Sequence, residues 1–253
     1  MDQNGFPSHG PISCARCIAP DQRVAEVGRW RVVNDPGAWG SSDPLVLILG
    51  FSKGFTQADA YAQGDFDAVP FKGMRPRLTA ALRAVGVLAA AEAVEERMRH
   101  QEQDFAFGSL VRCSLSRRVE EYDHPSATYS CTGSVMPLAF REEISRVVRA
   151  CAETYLGNLP RRLRLVLMLG TTDSYIDSCR NLVRALHPTS FKAINSVSYA
   201  SRGVTFCHIS HPSPLNGHHS NWLAGSSATK PGRKREEAIE AVRQAGLGDE
   251  HLG

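Results

Sequence analysis

Four runs of branched and large apolar residues punctuate the 253-residue chain: "PLVLILG" (44–50), "DFAFGSLV" (104–111), "LRLVLMLG" (163–170) and "VTFCHIS" (204–210). None alternates apolar with polar, so each reads as a strand buried on both faces, the pattern of a parallel sheet. Helical patterns separate them: "PRLTAALRAVGVL" (76–88), "AFREEISRVVRACAETYLGNL" (139–159) and "SYIDSCRNLVRAL" (174–186). Strand alternating with helix predicts an α/β fold, a three-layer α/β/α sandwich around a central, mostly parallel four-stranded sheet with right-handed crossovers. Such sheets bind ligands at the carboxyl ends of their strands, which here are "GFSKG", "SLVRC", "GTTDSY" and "HPSPL". Residues 34–44 and 224–235 read as loops, the second leading into a C-terminal helix, "EEAIEAVRQAG". The chain reads as one domain, 1–253, with an N-terminal extension over 1–43 and a basic loop and helix over 224–253.

Charge narrows the function little. The 29 Lys and Arg barely exceed the 26 Asp and Glu, so net charge alone marks no polyanion partner. No apolar run of about 18 residues and no signal-peptide pattern is present, which predicts a cytoplasmic protein without a membrane partner. Seven cysteines in a reducing compartment read as buried thiols or metal ligands before disulfides.

The richest segment follows the last apolar run: His211-Pro212-Ser213-Pro214-Leu215. Two prolines fix the loop, so an imidazole, a hydroxyl and an apolar tip are presented with little ordering entropy. The segment resembles the second signature of the uracil-DNA glycosylase superfamily. In the iron–sulfur branch of that superfamily (family 4), a Cys-x-x-Cys pair, a strand ending in a Gly-rich first motif, and a Pro-Phe-x-Gly segment precede it. Cys14-Ala-Arg-Cys17, "VLILGFSKG" and Pro70-Phe71-Lys72-Gly73 occur here in that order, and "FGSLVRC" is similar to the segment that carries the branch's next cysteine, at Cys113.

The resemblance implies a monofunctional enzyme that hydrolyses the N-glycosidic bond of deoxyuridine in single- or double-stranded DNA, acting as a monomer. It implies that His211 donates to the base O2 as negative charge develops, that Phe71 stacks on the extruded base, and that Leu215 fills the vacated space. Ser52 and the Gly50-Phe51 backbone would orient water or O2. Ser213 and Pro214 would meet the DNA backbone, as would Lys230, Arg233, Lys234 and Arg235 of "KPGRKR". Cys14, Cys17, Cys113 and Cys151 are the implied ligands of a [4Fe–4S] cluster, which makes 1–43 a cluster-binding extension. Cys131 competes with Cys151 for the fourth place, and structural zinc is the alternative metal.

Two departures stand out. The position of the family's base-reading asparagine falls on Ser109, whose single hydroxyl cannot both donate and accept as a carboxamide does; Asn195 is a candidate substitute if its loop reaches the strand ends. Gly50 is followed by Phe51, Ser52, Lys53 and Gly54, with no carboxylate, and Asp59, Asp65 and Asp67 lie nearby in sequence but read as solvated loop residues. Lys53 is a candidate phosphate contact. Cys179 and Cys207 read as buried thiols, and His208, His218 and His219 as no metal site, the last two at the surface. Two rival readings stay open: a uracil- or abasic-DNA binding module without chemistry, and a glycosidase acting on a nucleoside or an RNA base.

Overall fold

The computed structural model describes residues 6–19, 21–119, 128–132 and 135–247. Its strands are β1 (Gly10–Pro11), β2 (Val24–Val27), β3 (Trp30–Val33), β4 (Gly37–Gly40), β5 (Val46–Gly50), β6 (Phe105–Ser109), β7 (Ser114–Val119), β8 (Thr128–Ser130), β9 (Leu165–Leu169), β10 (Lys192–Ala193), β11 (Ser198–Ser201) and β12 (Val204–Ile209). Its helices are α1 (Phe55–Ala62), α2 (Arg75–Ala84), α3 (Val135–Ala139), α4 (Ser145–Leu156), α5 (Asp173–Leu186), α6 (His219–Ala224) and α7 (Lys230–Gln244).

The four apolar runs become β5, β6, β9 and β12. They pair in parallel in the order β6-β5-β9-β12, and every residue of the four is buried. Successive side chains point to opposite faces. Leu47, Leu49, Val166, Met168 and Phe206 face α4 and α5, while Val46, Ile48, Leu165, Leu167 and Ile209 face α2, α6 and α7.

The sheet is not the four-stranded one expected from the apolar runs. It has eight strands, because antiparallel β4 and β1 extend one edge and β11 and β10 the other, and a separate antiparallel sheet, β2-β3-β7-β8, packs beside it. The added strands are short and rich in small or polar residues. β4, "GAWG", lies inside the segment expected to be a loop, and its Gly40 Cα approaches the Phe105 carbonyl so closely that a Cβ would meet that oxygen at 2.3 Å. β11 and β12 are joined by Arg202-Gly203, both at positive φ (52° and 78°), the geometry of a tight two-residue hairpin.

A second difference concerns the basic run. Lys230–Arg235, expected in a loop, opens α7. Thr229 caps the helix by accepting from the Gly232 N–H at 3.1 Å, and Pro231 sits in the first turn, where no intrahelical donor is needed. No helix among the described residues is long and apolar enough to cross a membrane.

Candidate active site

Because β5, β9 and β12 run parallel, the segments that follow them emerge side by side. They enclose an open cleft of about 570 Å³ whose walls include Phe51 and Ser52 after β5, Gly170 to Asp173 after β9, and His211, Ser213 and Leu215 after β12. The first motif and the His-Pro-Ser-Pro segment, 159 residues apart from Ser52 to His211 (211 less 52), thus share one cavity.

The loop after β12 is built around its own side chains. The Ser213 N–H donates to His211 Nδ1 at 3.1 Å, and the Leu215 N–H donates to Ser213 Oγ at 3.2 Å. A ring nitrogen that accepts carries no proton, so the neutral imidazole holds its proton on Nε2. Burial, together with neighbouring His219, pulls the His211 pKa down to about 4. The ring is therefore neutral near pH 7, a donor through Nε2–H in a wall of the cleft. Leu215 at the loop tip is 78% exposed.

Residues that sequence reasoning did not single out hold this loop. Arg77, on α2, donates through Nε to the Pro212 carbonyl at 2.8 Å and through Nη2 to those of Ser213 at 3.2 Å and Asn216 at 3.5 Å. Asn216 donates to the His211 carbonyl at 2.8 Å and to Ser210 Oγ at 3.1 Å. His219 is buried, contrary to the surface position expected of it, with Nδ1 3.0 Å from Ser210 Oγ; His218 is exposed on the cleft wall. His208 is buried between the Gly170 carbonyl at 3.0 Å and Tyr199 Oη at 3.2 Å, and burial takes its pKa to about 3.

Gly50, Phe71 and Ser109 come together beside the cleft. A Cβ on Gly50 would lie 3.5 Å from a Phe71 ring carbon and 3.8 Å from Ser109 Oγ. Phe71 is buried and stands at φ 53°, a conformation a bulky residue adopts only where its surroundings compel it. Phe51 is buried against Phe140 and Tyr175, with ring centroids 5.7 and 6.2 Å away.

Lys53 does not face solvent, as a phosphate contact would require. It is buried, with Nζ 3.3 Å from Asp35 Oδ1 and donating to the Arg112 carbonyl; burial lowers its pKa and Asp35 opposes the shift. Asn195 is likewise committed elsewhere: its amide donates to the Glu237 carbonyl, and its Oδ1 accepts from Val197 N–H and Ser198 Oγ. Asp173 is the one carboxylate among the described residues lining the cleft. It pairs with Lys230 and, at 2.6 Å, with Lys234, and hydrogen bonds from those two lysines keep its carboxyl below the usual range. Lys234 also donates to the Thr171 carbonyl, and Arg235 turns inward to the Ala84 and Leu223 carbonyls. Of the four basic residues expected to meet DNA, Lys230 and Arg233 are the exposed ones.

The cysteines sort into two places. Cys14, Cys17, Cys113 and Cys151 line one small cavity of about 20 Å³, together with Asn34, Arg112 and Tyr155. Cys131 lies instead on the cleft wall beside Gly54, and Cys179 and Cys207 are buried elsewhere on α5 and β12. Burial raises the Cys113 thiol to about 12 and Cys151 to about 11. Among the described residues no three His, Cys, Asp or Glu side chains are gathered into a metal-binding shell. The donor chemistry nevertheless suits a thiolate-bound metal or cluster: four cysteines share a cavity, the Arg112 N–H points to Cys151 Sγ at 3.3 Å, and the neighbouring guanidinium has unpartnered nitrogens.

The sequence matches no protein-family model and no characterised protein. The functional reading therefore stands on these residues and their arrangement.

Proposed function

We propose that the chain is a DNA glycosylase of the uracil-DNA glycosylase type, releasing uracil from DNA by hydrolysis and leaving an abasic site. The observation that carries this reading is the meeting of Ser52 and His211 in one cleft, with the His211 ring neutral and no hydrogen-bond partner for its Nε2–H among the described residues. The parallel order β6-β5-β9-β12 with helices on both faces supports the glycosylase-like three-layer core within the wider sheet.

A base joined to deoxyribose must leave the stack before its bond can be cut. Leu215, exposed at the tip of a braced loop, occupies the gap it leaves. The base lies toward Gly50, Phe71 and Ser109, and His211 Nε2–H donates to O2. As the C1′–N1 bond breaks, the electron pair goes to the base, and the donor at O2 stabilises that charge. Water held by Ser52 and the Gly50-Phe51 backbone adds at C1′ and gives its proton to solvent, from which the departing uracil anion takes one up. An oxocarbenium-like sugar needs its water oriented more than deprotonated. Lys53 and Lys234 are buried in ion pairs, and Lys230 is paired with Asp173, so the product is an abasic site rather than a Schiff base. Lys230 and Arg233 flank the approach of the DNA backbone.

In this reading Cys14, Cys17, Cys113 and Cys151 hold a [4Fe–4S] cluster, with zinc the alternative. Such a group supplies folding free energy by tying the N-terminal extension to α4 and the segment after β6.

The test is single-turnover incubation with an end-labelled uracil oligonucleotide followed by alkali. Cleavage at the uracil, reduced about a hundredfold or more in His211→Ala with DNA affinity retained, is the expected result. Tight binding without cleavage would replace the enzyme with a binding module. Equal turnover of free deoxyuridine would replace DNA with a nucleoside substrate.

A further inference from the structure

Arg112 is fully buried, yet its Nε and Nη1 have no hydrogen-bond partner and no carboxylate lies in ion-pair reach among the described residues. Its guanidinium lies 4.6 Å from the Phe6 ring centroid and 5.0 Å from that of Tyr155. The fold makes room for it at a cost: Gly108, inside buried β6, has no side chain, and a Cβ there would fall 1.8 Å from Nη1. Glycine weakens a strand interior and is kept where another group must approach closely. Two aromatic faces do not offset a desolvated, unpaired guanidinium. What remains is the cavity that Arg112 lines together with Cys14, Cys17, Cys113 and Cys151.

Four thiolates around a divalent zinc, or around an oxidised [4Fe–4S] core, leave a net dianion. We infer that Arg112 is the internal counter-cation of this thiolate centre, a positioning residue that holds the anionic metal site and sets how readily it accepts an electron. The inference rests on reading the four cysteines as a ligand set.

The guanidinium favours the more negative, reduced form of a cluster, so its removal should move the reduction potential to a more negative value. Removing a group that orients or balances a metal's ligands typically weakens binding about tenfold or more. The full-length chain, wild type and variants, is titrated with Zn2+ against a chromophoric chelator, and its iron-loaded form is poised electrochemically and read by electron paramagnetic resonance. Arg112→Met should bind Zn2+ about tenfold or more weakly and carry a lowered potential, and Arg112→Lys should recover part of both. Gly108→Ala, which keeps the charge but displaces it, should resemble Arg112→Met and serves if that variant does not fold. A second readout separates charge balance from packing: without metal, Arg112→Met should unfold at a higher temperature than wild type, and with metal at a lower one. Wild-type metal affinity and potential in Arg112→Met and Gly108→Ala overturn the inference and leave the ligand set standing. A wild-type chain that takes up neither zinc nor iron overturns the ligand set itself, and the inference with it.

Discussion

Replacing Arg77 by methionine removes the brace of the His211 loop while keeping a side chain of similar length on α2. Three carbonyls lose a donor, but not equally: the contact to Pro212 at 2.8 Å is well formed, that to Ser213 at 3.2 Å is fair, and that to Asn216 at 3.5 Å is marginal. Hydrogen bonds from a charged donor contribute about 1.5–3 kcal/mol each. Two such bonds give an upper figure of roughly 3–6 kcal/mol, and water can replace much of it at a partly exposed site. Misplacement of the imidazole should then cost on the order of 1.5–3 kcal/mol in the transition state, a loss of roughly ten- to hundredfold in base release. The global melting temperature should move little, because the freed carbonyls can be hydrated. The assay pairs single-turnover uracil release with an NMR titration of the His211 ring. A loosened loop admits water to that ring, so its pKa should climb from about 4 toward the unperturbed range near 6.5. Arg77→Lys, able to reach one carbonyl at a time, should fall between. Wild-type release together with an unshifted His211 titration would refute the reasoning, since it would show that the loop holds its geometry unaided.

Leu215→Ala should slow release from duplex more than from single strands, because only the duplex needs the space of the flipped base filled; equal losses on both substrates would make Leu215 a packing residue. Stability should fall on acidification. His208 and His211 have folded pKa values near 3 and 4, below the unfolded value, so the unfolded chain takes up their protons first. Their contribution is complete above about pH 6.5 and is lost as pH drops toward those folded values, by about 2 kcal/mol at pH 5 for His208 and less for the partly exposed His211. Urea midpoints that stay flat between pH 7 and 5 would count against this, and His208→Gln should flatten the slope. Among the cysteines, Cys151→Ser should lose bound metal and stability while Cys131→Ser keeps both; metal lost only in Cys131→Ser would move the fourth ligand to the cleft wall.

The central strands were legible because burial on both faces writes itself as an unbroken apolar run, as in Val46–Gly50 and Leu165–Leu169. The edge strands were not, since a two- to four-residue strand of Gly, Ser or Ala satisfies its backbone without any such signature. β4 looked like a turn, whereas its Gly40 is there for close approach to the Phe105 backbone and its Gly37 leaves room for the Trp39 and Phe66 rings. The run Lys230–Arg235 looked like a loop because Pro-Gly normally breaks structure, whereas Pro231 and Gly232 sit in a first helical turn capped by Thr229. Within the site, His211 and Ser213 were readable from a local motif. Arg77 was not, because its role arises from the approach of a helix 135 residues earlier in the chain.

Lys53 shows how a local departure can have a distant cause. In the first motif it follows Ser52, a residue of the cleft, and its sequence context suggests contact with a phosphate. Its ammonium instead reaches inward to Asp35 and the Arg112 carbonyl. Asp35 also accepts from the Ser114 N–H at 2.7 Å and from its hydroxyl at 2.6 Å, while Asn34, Arg112 and Cys113 line the thiol cavity. One side of Ser52 is thereby fixed to the segments that carry the cysteines. A buried ion pair is costly to break from one side, so the backbone at Ser52 is held with little freedom, which is what a water-orienting position requires. In the proposed reading the lysine at this place substitutes rigidity for the missing carboxylate, and it joins the proposed metal centre to the proposed chemistry through its contacts with Asp35 and the Arg112 carbonyl rather than through any shared ligand.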